Sequence, residues 1–222
     1  VVSCQVKHER NRGTLSREAI LEAAETIIDD EGLAALSMRR VGEALGVEAM
    51  SLYNHVPSKA ALLDGIYERI VGRIEPAPGL STWTEHACHQ GRALRSVLSA
   101  HPNAIPLFAS RPATTPDALL RLEKNLATLR EAGLDPLQAL GVVQIVFAFV
   151  VGHALWSLAP RSSEEHGMPH YESLDPQEFA NVRAVAAVFG RYDAEIEFET
   201  GLGALVDGLG RVYGFDEGKR RK

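Results

Sequence analysis

The sequence is poor in cysteine and aromatic residues and has no excess of basic residues. Its two cysteines, Cys4 and Cys88, are far apart and match neither a metal-ligand spacing nor a redox motif. Their small number and the lack of a signal peptide at the start predict a protein of the reducing cytoplasm. The net charge of −6 argues against a protein that coats nucleic acid without sequence preference.

The sequence also lacks the patterns expected of β-sheets and of common catalytic sites. No run alternates apolar and polar residues long enough to predict a sheet, so we expect an all-α fold. No glycine-rich phosphate loop, nucleophile elbow or HExxH helix is present, so we expect a protein that is not an enzyme. His86 and His89 are spaced to share one helix face, but nothing in the sequence completes a metal shell. We therefore expect no metal site and no cofactor.

Residues 137–159 contain no Asp, Glu, Lys or Arg and are long enough to cross a bilayer. Gln138, Gln144 and His153 count against that interpretation, and the flanks lack a basic cluster or an aromatic belt. The alternative is a helix buried on every side in a soluble oligomer. We favour this alternative and expect no membrane contact.

The most informative segment, residues 33–59, predicts two short helices that meet at a glycine turn. Ser37 is placed to cap the first helix, whose residues Val41, Ala44 and Leu45 are expected to form one buried stripe. Gly46 suits the left-handed conformation that ends such a helix. A second helix is predicted from about Ala49 to a point before Pro57. The pattern is that of a helix-turn-helix, which sets its second helix into the major groove of DNA, although an ordinary helical hairpin has the same spacing.

The rest of the chain is predicted to form a second, larger helical domain. A proline- and glycine-rich break at residues 75–79 suggests a boundary between a DNA-binding domain, 1–74, and an effector-binding and dimerisation domain, 75–222. Beyond the break, periodicity predicts helices at about 82–100, 116–132, 136–159, 176–189 and 194–213.

The last predicted helix carries an apolar seam with the 4-3-4-3 spacing of a helix–helix interface: Phe198, Leu202, Leu205, Leu209 and Val212. Small residues that would allow close backbone approach lie beside it and on the charge-free helix: Gly201, Ala204, Gly208, Gly141, Ala148 and Gly152. Two such helices from each of two subunits would form a four-helix dimer interface. The alternative is a core seam within one subunit.

Several segments taken together resemble the TetR family of bacterial transcriptional regulators. The likeness is strong over residues 15–65, where it rests on residues 36–47, on the Ser-Leu-Tyr-Asn-His-Val segment 51–56 and on the Lys-Ala-Ala-Leu-Leu-Asp segment 59–64. A weaker likeness continues at Trp83, Arg111-Pro112, 131–133 and 198–202. The resemblance implies an all-α homodimer, with an N-terminal three-helix helix-turn-helix head and a C-terminal helical ligand-binding and dimerisation domain.

The resemblance also implies which residues contact double-stranded operator DNA. Carried onto this sequence, they are Ser37, Met38, Arg39, Ala49, Met50, Ser51, Tyr53, Asn54, His55 and Lys59. Ala49 departs from the tetracycline-responsive members, which have a hydrogen-bonding amide there. An alanine offers only an apolar contact, for example to a thymine methyl, so we expect a different operator sequence.

The predicted effector site departs from the tetracycline-responsive members more strongly. In those members a histidine four residues before the Arg-Pro pair helps to hold a metal–drug complex, and here Leu107 occupies that position. We therefore expect a small organic, mostly apolar effector bound without metal. Loose alignment and helix facing give the candidate pocket residues Gln90, Leu94, Leu107, Arg111, Leu122, Asn125, Val143, Phe147 and Trp156.

These observations predict a ligand-responsive, DNA-binding transcriptional regulator, more specifically a repressor released from a palindromic operator by its effector. The alternative from another class is a helical small-molecule-binding protein or enzyme without DNA binding. That alternative would need a complete catalytic set in the C-terminal half, and the sequence shows none.

Overall fold

The computed structural model describes residues 15–75, 79–111, 115–158 and 171–214, and within these ranges every regular element is helical. The all-α prediction is confirmed. The α-helices are α1 Arg17–Glu31, α2 Met38–Leu45, α3 Ala49–Leu52, α4 Lys59–Val71, α5 Trp83–Ala100, α6 Ile105–Ser110, α7 Pro116–Glu131, α8 Pro136–Ser157, α9 Ala180–Val188 and α10 Ala194–Val212. Short 3₁₀ turns precede α2, α6 and α9 and follow α9.

The chain divides into two compact units, Val1–Ile66 and Tyr67–Lys222. The division falls inside α4, whereas the sequence suggests a boundary at the break near residue 75. A helix that runs through a division leaves no signal in composition, because its residues continue the same apolar periodicity. The functional boundary at residue 75 stays a prediction.

The first unit is built around helices whose ends are fixed by local signals. The Ser16 hydroxyl accepts a hydrogen bond from the Ala19 amide at 3.2 Å at the start of α1, and Gly32, with φ +87°, ends the helix. The α1 face that includes Ile20 and Ile28 is completely buried. Together with buried residues of α3 and α4 it forms the core of this unit.

The buried face of α2 consists partly of different residues from those that the sequence predicts. Met38, Val41 and Gly42 are the buried residues of α2, with Leu45 half-buried, whereas Ala44 is exposed. Positions i, i+3, i+4 and i+7 share one helix face, and Ala44 lies outside that set. The prediction for Ala44 is therefore wrong, although the helix itself is confirmed.

The second unit has α8 at its centre, in contact with α5, α6, α7 and α10. This helix is long and apolar enough to cross a membrane by length and composition alone. In the protomer it is buried on one side only, through Val142, Val146 and Val150, whereas Leu137 and Trp156 are exposed. The expectation that α8 is buried on every side therefore does not hold within one chain.

The apolar seam of α10 packs mainly inside the subunit. Phe198, Leu202 and Leu209 are buried, and the Phe198 ring stacks on Phe149 of α8 with 5.6 Å between centroids. Val212, at the end of the seam, is 78% exposed. For its buried members the alternative interpretation, a core seam within one subunit, is correct, because α10 lies against both α5 and α8.

Candidate nucleic-acid interface and effector cavity

The second helix of the helix-turn-helix presents a polar surface that is anchored from beneath. Leu52 and Val56 are buried and hold the segment on the core of the first unit. The backbone after α3 continues as a turn, in which the amides of His55 and Val56 both donate to the Leu52 carbonyl oxygen. We call the outward residues of this segment the contact face, and they are Ala49, Met50, Ser51, Tyr53, Asn54 and His55.

The exposure of the contact face suits intermolecular contact. Met50 is 75% and Tyr53 42% exposed, Asn54 and His55 are exposed, and Ala49 and Ser51 are half-buried. The face therefore combines hydrogen-bonding groups with an apolar tip at Met50. Phosphates and base edges are contacted by groups of the first kind, and thymine methyls by groups of the second.

The remaining candidates for DNA contact lie at the starts of α2 and α4. The Ser37 hydroxyl caps α2 by accepting from the Arg40 amide at 3.1 Å, and Lys59 is the exposed first residue of α4. Met38 differs from expectation, since it is only 7% exposed and its side chain lies in the core. Its position on the inner stripe of α2 removes it from the set of side chains available at the surface.

Two neighbouring arginines of α2 differ in how they are held. Arg40 forms a double hydrogen bond with Glu31 at the end of α1, with nitrogen–oxygen distances of 2.5 to 3.1 Å. This bond lowers the pKa of Glu31 and raises that of Arg40. Arg39 points outward with its side chain 88% exposed and pairs with Glu43, one turn along the same helix. Arg39 can exchange this exposed partner for a phosphate or a base, whereas Arg40 is committed to joining α1 and α2.

The second unit contains a cavity of about 520 Å³. It brings together seven of the nine residues that the sequence gives as effector candidates: Gln90, Leu94, Arg111, Leu122, Asn125, Val143 and Phe147. Three of the contributing helices are α5, α7 and α8, each through residues at three- and four-residue spacing. Such a volume falls within the range of pockets for small organic ligands.

The structure does not bring Leu107 and Trp156 to this cavity. Leu107 is 1% exposed and belongs to the core around α6, whereas Trp156 is 68% exposed. Trp156 follows the cavity residue Phe147 by nine positions in α8, which is about 13 Å along the axis and half a turn around it. Neither of these two predicted residues is among those that line the cavity.

Sequence reasoning missed several polar groups of the lining. Tyr67, His86, Arg121 and Gln144 all contribute to it. His86 precedes Gln90 by one helical turn and lies on the same face of α5, so the prediction of Gln90 could have been extended to His86. Arg121 gave no such signal, because a charged residue in a helix is usually read as part of a solvated face.

Burial changes the chemistry of two of these groups. Burial lowers the pKa of the His86 imidazole, and the hydrogen bond between its Nε2 and Asn125 Oδ1, at 3.2 Å, opposes that shift only in part. Burial also raises the pKa of the Tyr67 phenol. Both side chains are therefore neutral hydrogen-bonding groups near neutral pH.

Two family models match the chain. Residues 20–66 match bacterial regulatory proteins of the tetR family, and residues 75–213 match the tetracyclin repressor-like C-terminal domain. The second match alone covers more than half of the chain. The resemblance seen in the sequence is thus confirmed in both halves.

Individual relatives agree with these matches. An HTH-type transcriptional regulator of Saccharopolyspora erythraea is 30% identical over 95% of this chain and 91% of its own length. The HTH-type transcriptional repressor DrrR1 of Streptomyces coeruleorubidus is 35% identical over 68% of this chain, a match that spans 57% of that relative. The crystal structure of the Streptomyces coelicolor TetR family protein ActR in complex with actinorhodin superimposes with a TM-score of 0.77 at 29% identity, covering 91% of this chain and 98% of that one. This chain belongs to the TetR family and is a transcriptional regulator rather than an enzyme.

Proposed function

We propose that this protein is a cytoplasmic repressor that binds a palindromic operator as a homodimer and is released by a small organic effector. The observation that carries the proposal is the contact face, whose polar and apolar groups are exposed while Leu52 and Val56 anchor it from beneath. A repressor name for one relative, DrrR1, and a ligand complex of another, ActR, support the same function.

The contact face would enter the major groove, with each head of the dimer reading one half-site. Two such heads would lie about 34–36 Å apart, one helical turn of DNA. Tyr53, Asn54 and His55 supply hydrogen bonds to bases and phosphates, and Lys59 supplies a cation for a phosphate. Arg39 would exchange Glu43 for a phosphate or a base edge, so its contribution to affinity falls with salt.

The homodimer would form through the exposed side of α8. Ile145 and Leu155 are 38% and 37% exposed, and Trp156 is 68% exposed. The small residues Ala148 and Gly152 are also exposed on this helix. A contiguous apolar side with small residues allows two helices to pack closely, which supports a four-helix interface with α10.

The effector would bind in the 520 Å³ cavity without a metal. A ligand that fits one state of the dimer better than the other shifts the population toward that state. α4 belongs to both compact units, because it begins at Lys59 and ends at Val71. A change at its cavity residues Tyr67 and Val71 can therefore reach the DNA-binding head along one helix.

The test is selection of duplexes from a random pool, followed by gel shifts and molar-mass measurement in solution. We expect an inverted repeat to be enriched and bound by a dimer. Arg39→Ala should weaken binding about tenfold, as expected for one lost charge-assisted contact, without changing the molar mass. Arg130→Ala, which removes an exposed arginine of α7, is the matched control and should bind normally. A monomer at all concentrations, or no selective binding at any salt concentration, would rule out the proposal.

A further inference from the structure

We propose that the effector is an organic anion, a largely apolar molecule with a carboxylate or an acidic hydroxyl group that binds to Arg111 and Arg121. This inference rests on the proposed function in one respect, since it assigns a ligand class to the cavity given above. It goes beyond that function because it states the charge of the ligand and the two residues that recognise it.

Among the described residues, the charged side chains that line the cavity all have the same sign. Arg111, directly after α6, and Arg121, in α7, both contribute to the lining. Among the described residues that line the cavity, none is an aspartate or a glutamate. Most of the remaining lining is aliphatic or aromatic, including Leu94, Leu122 and Phe147. The cavity therefore offers positive charge within an apolar surround.

Arg121 is placed to receive an anion. It is half-buried, and one of its terminal nitrogens donates a long hydrogen bond, 3.3 Å, to the carbonyl oxygen of Gly72 just after α4. A guanidinium carries five N–H donors in a planar fork, so this bond leaves several donors for a ligand. A carboxylate accepts two parallel hydrogen bonds from such a fork, a geometry that neutral oxygens do not reproduce.

A ligand that fills the cavity removes water from both guanidinium groups. An anion replaces the lost hydration with charge-assisted hydrogen bonds, whereas a neutral ligand replaces it only in part. A cation adds repulsion to the same loss of water. The lining thus selects against neutral and cationic ligands, because neither class compensates fully for the hydration that the guanidinium groups lose.

The neutral polar groups of the lining define the rest of the ligand. His86 and Asn125 are hydrogen-bonded to each other, and Gln90 and Gln144 add amides that can donate or accept. Because burial lowers the pKa of His86, this histidine adds no charge near neutral pH. These groups suit hydroxyl or carbonyl oxygens on an apolar skeleton, so the positive charge that selects the ligand comes from the two arginines.

The test compares matched probes on the full-length protein by isothermal titration calorimetry. The probes are aromatic carboxylic acids with one to four fused rings, such as anthraquinone-2-carboxylate. Each is paired with its primary carboxamide, which has the same shape without charge, and with the corresponding aminomethyl cation. We expect at least one acid to bind about tenfold or more tightly than its amide, with the cation weakest, because a charge-assisted bond is about twice as strong as a neutral one.

The variants Arg111→Met and Arg121→Met keep a long apolar side chain and remove the charge. Each should reduce the preference for the acid over the amide while leaving amide binding within about threefold. Arg130→Met, at an exposed arginine of the same helix as Arg121, is the control and should keep the full preference. Circular dichroism and operator binding of each variant establish that the variant is folded.

Three outcomes would overturn the inference: equal binding of acids and amides, preference for the cations, or no binding of any acid in the series. Each leaves the proposed function intact if the protein still binds an inverted-repeat duplex selectively. Loss of the proposed function shows differently, as an absence of selective DNA binding in the gel shift. The two failures are therefore distinguishable.

Discussion

Gly42 in α2 provides the sharpest test of how the helix-turn-helix is held together. An alanine β-carbon at this position would lie 2.8 Å from the Val47 carbonyl oxygen and 3.2 Å from the Ala49 amide nitrogen. Both atoms belong to the backbone that leads into α3, so they cannot rotate away as a flexible side chain would. Gly42 does not have a positive φ. The glycine is therefore required for space rather than for conformation.

The magnitude follows from two opposing effects of Gly42→Ala. Alanine favours a helix interior by about 1 kcal/mol over glycine, so secondary structure alone predicts stabilisation. Overpacking of a tight contact costs roughly 1–3 kcal/mol. Because the contact here is with backbone, we expect the upper part of that range and a net loss of about 1–2 kcal/mol. Operator affinity should fall as well, since the displaced Val47 and Ala49 position the contact face.

Gly203→Ala in α10 is the matched control, because an added β-carbon there meets no atom within 4 Å. This variant should be more stable by about 0.5–1 kcal/mol and should bind the operator normally. Urea denaturation followed by circular dichroism measures the change in stability of both variants. Hydrogen–deuterium exchange of peptides covering residues 38–56 shows whether the loss caused by Gly42→Ala lies in the helix-turn-helix. A Gly42→Ala protein with wild-type stability and wild-type operator affinity would refute the packing argument.

Three further perturbations test other parts of the structure. Ser37→Ala removes the hydroxyl that caps α2 and should lower the free energy of unfolding, measured with urea, by about 1 kcal/mol. Ser37→Asp should retain most of the wild-type stability, because a carboxylate also caps a helix. Equal stability of the wild type and both variants would contradict the role of the cap. Replacing thymines by uracils under the contact face should weaken binding about fourfold per contacted methyl, from roughly 0.8 kcal/mol per buried group. In the same gel shift, a Met50→Ala protein should lose less affinity than the wild type when thymine is replaced by uracil. An equal loss would exclude Met50 as the residue that contacts the thymine methyl. The Arg92 guanidinium lowers the pKa of Glu199, so this pair stabilises the fold at neutral pH and the gain disappears as the pH falls through that lowered value. The stability difference between wild type and Arg92→Met should therefore shrink between pH 7 and below about pH 4, and a constant difference would count against the pair.

The DNA-binding head is the part of the fold that the sequence predicts best, because helix caps and turn glycines depend on interactions within a few residues. The cap at Ser37 and the turn at Gly46 both appear where the sequence places them. The inner stripe of α2 was harder to predict. Its true members include Gly42, which is buried for space and not for hydrophobicity, so the apolar residue Ala44 appeared a better candidate.

Features that depend on distant packing were predicted less well. The spacing of Phe198 and Leu202 indicates a helix–helix contact but not whether the partner helix belongs to the same chain. Here Phe198 lies beneath the Arg95 guanidinium, 4.6 Å from the ring centroid, and beside Phe149. These contacts join residues about 50 to 100 positions apart, a distance over which periodicity gives no information. The sequence predicted four apolar residues of the cavity lining, Leu94, Leu122, Val143 and Phe147, but missed the other apolar residues and Arg121.

The absence of charge from α8 follows from three separate demands on one helix. One side, including Val150 and Ala154, is buried in the protomer. A second, including Val143 and Phe147, lines the cavity. A third, with Trp156, is exposed in the single chain and is the side proposed to meet a second copy. A charged residue on any side would be placed in the core, in the ligand site or in the proposed interface, and each placement carries a desolvation cost. A helix used on three sides in this way has the same composition as a membrane span without needing a bilayer.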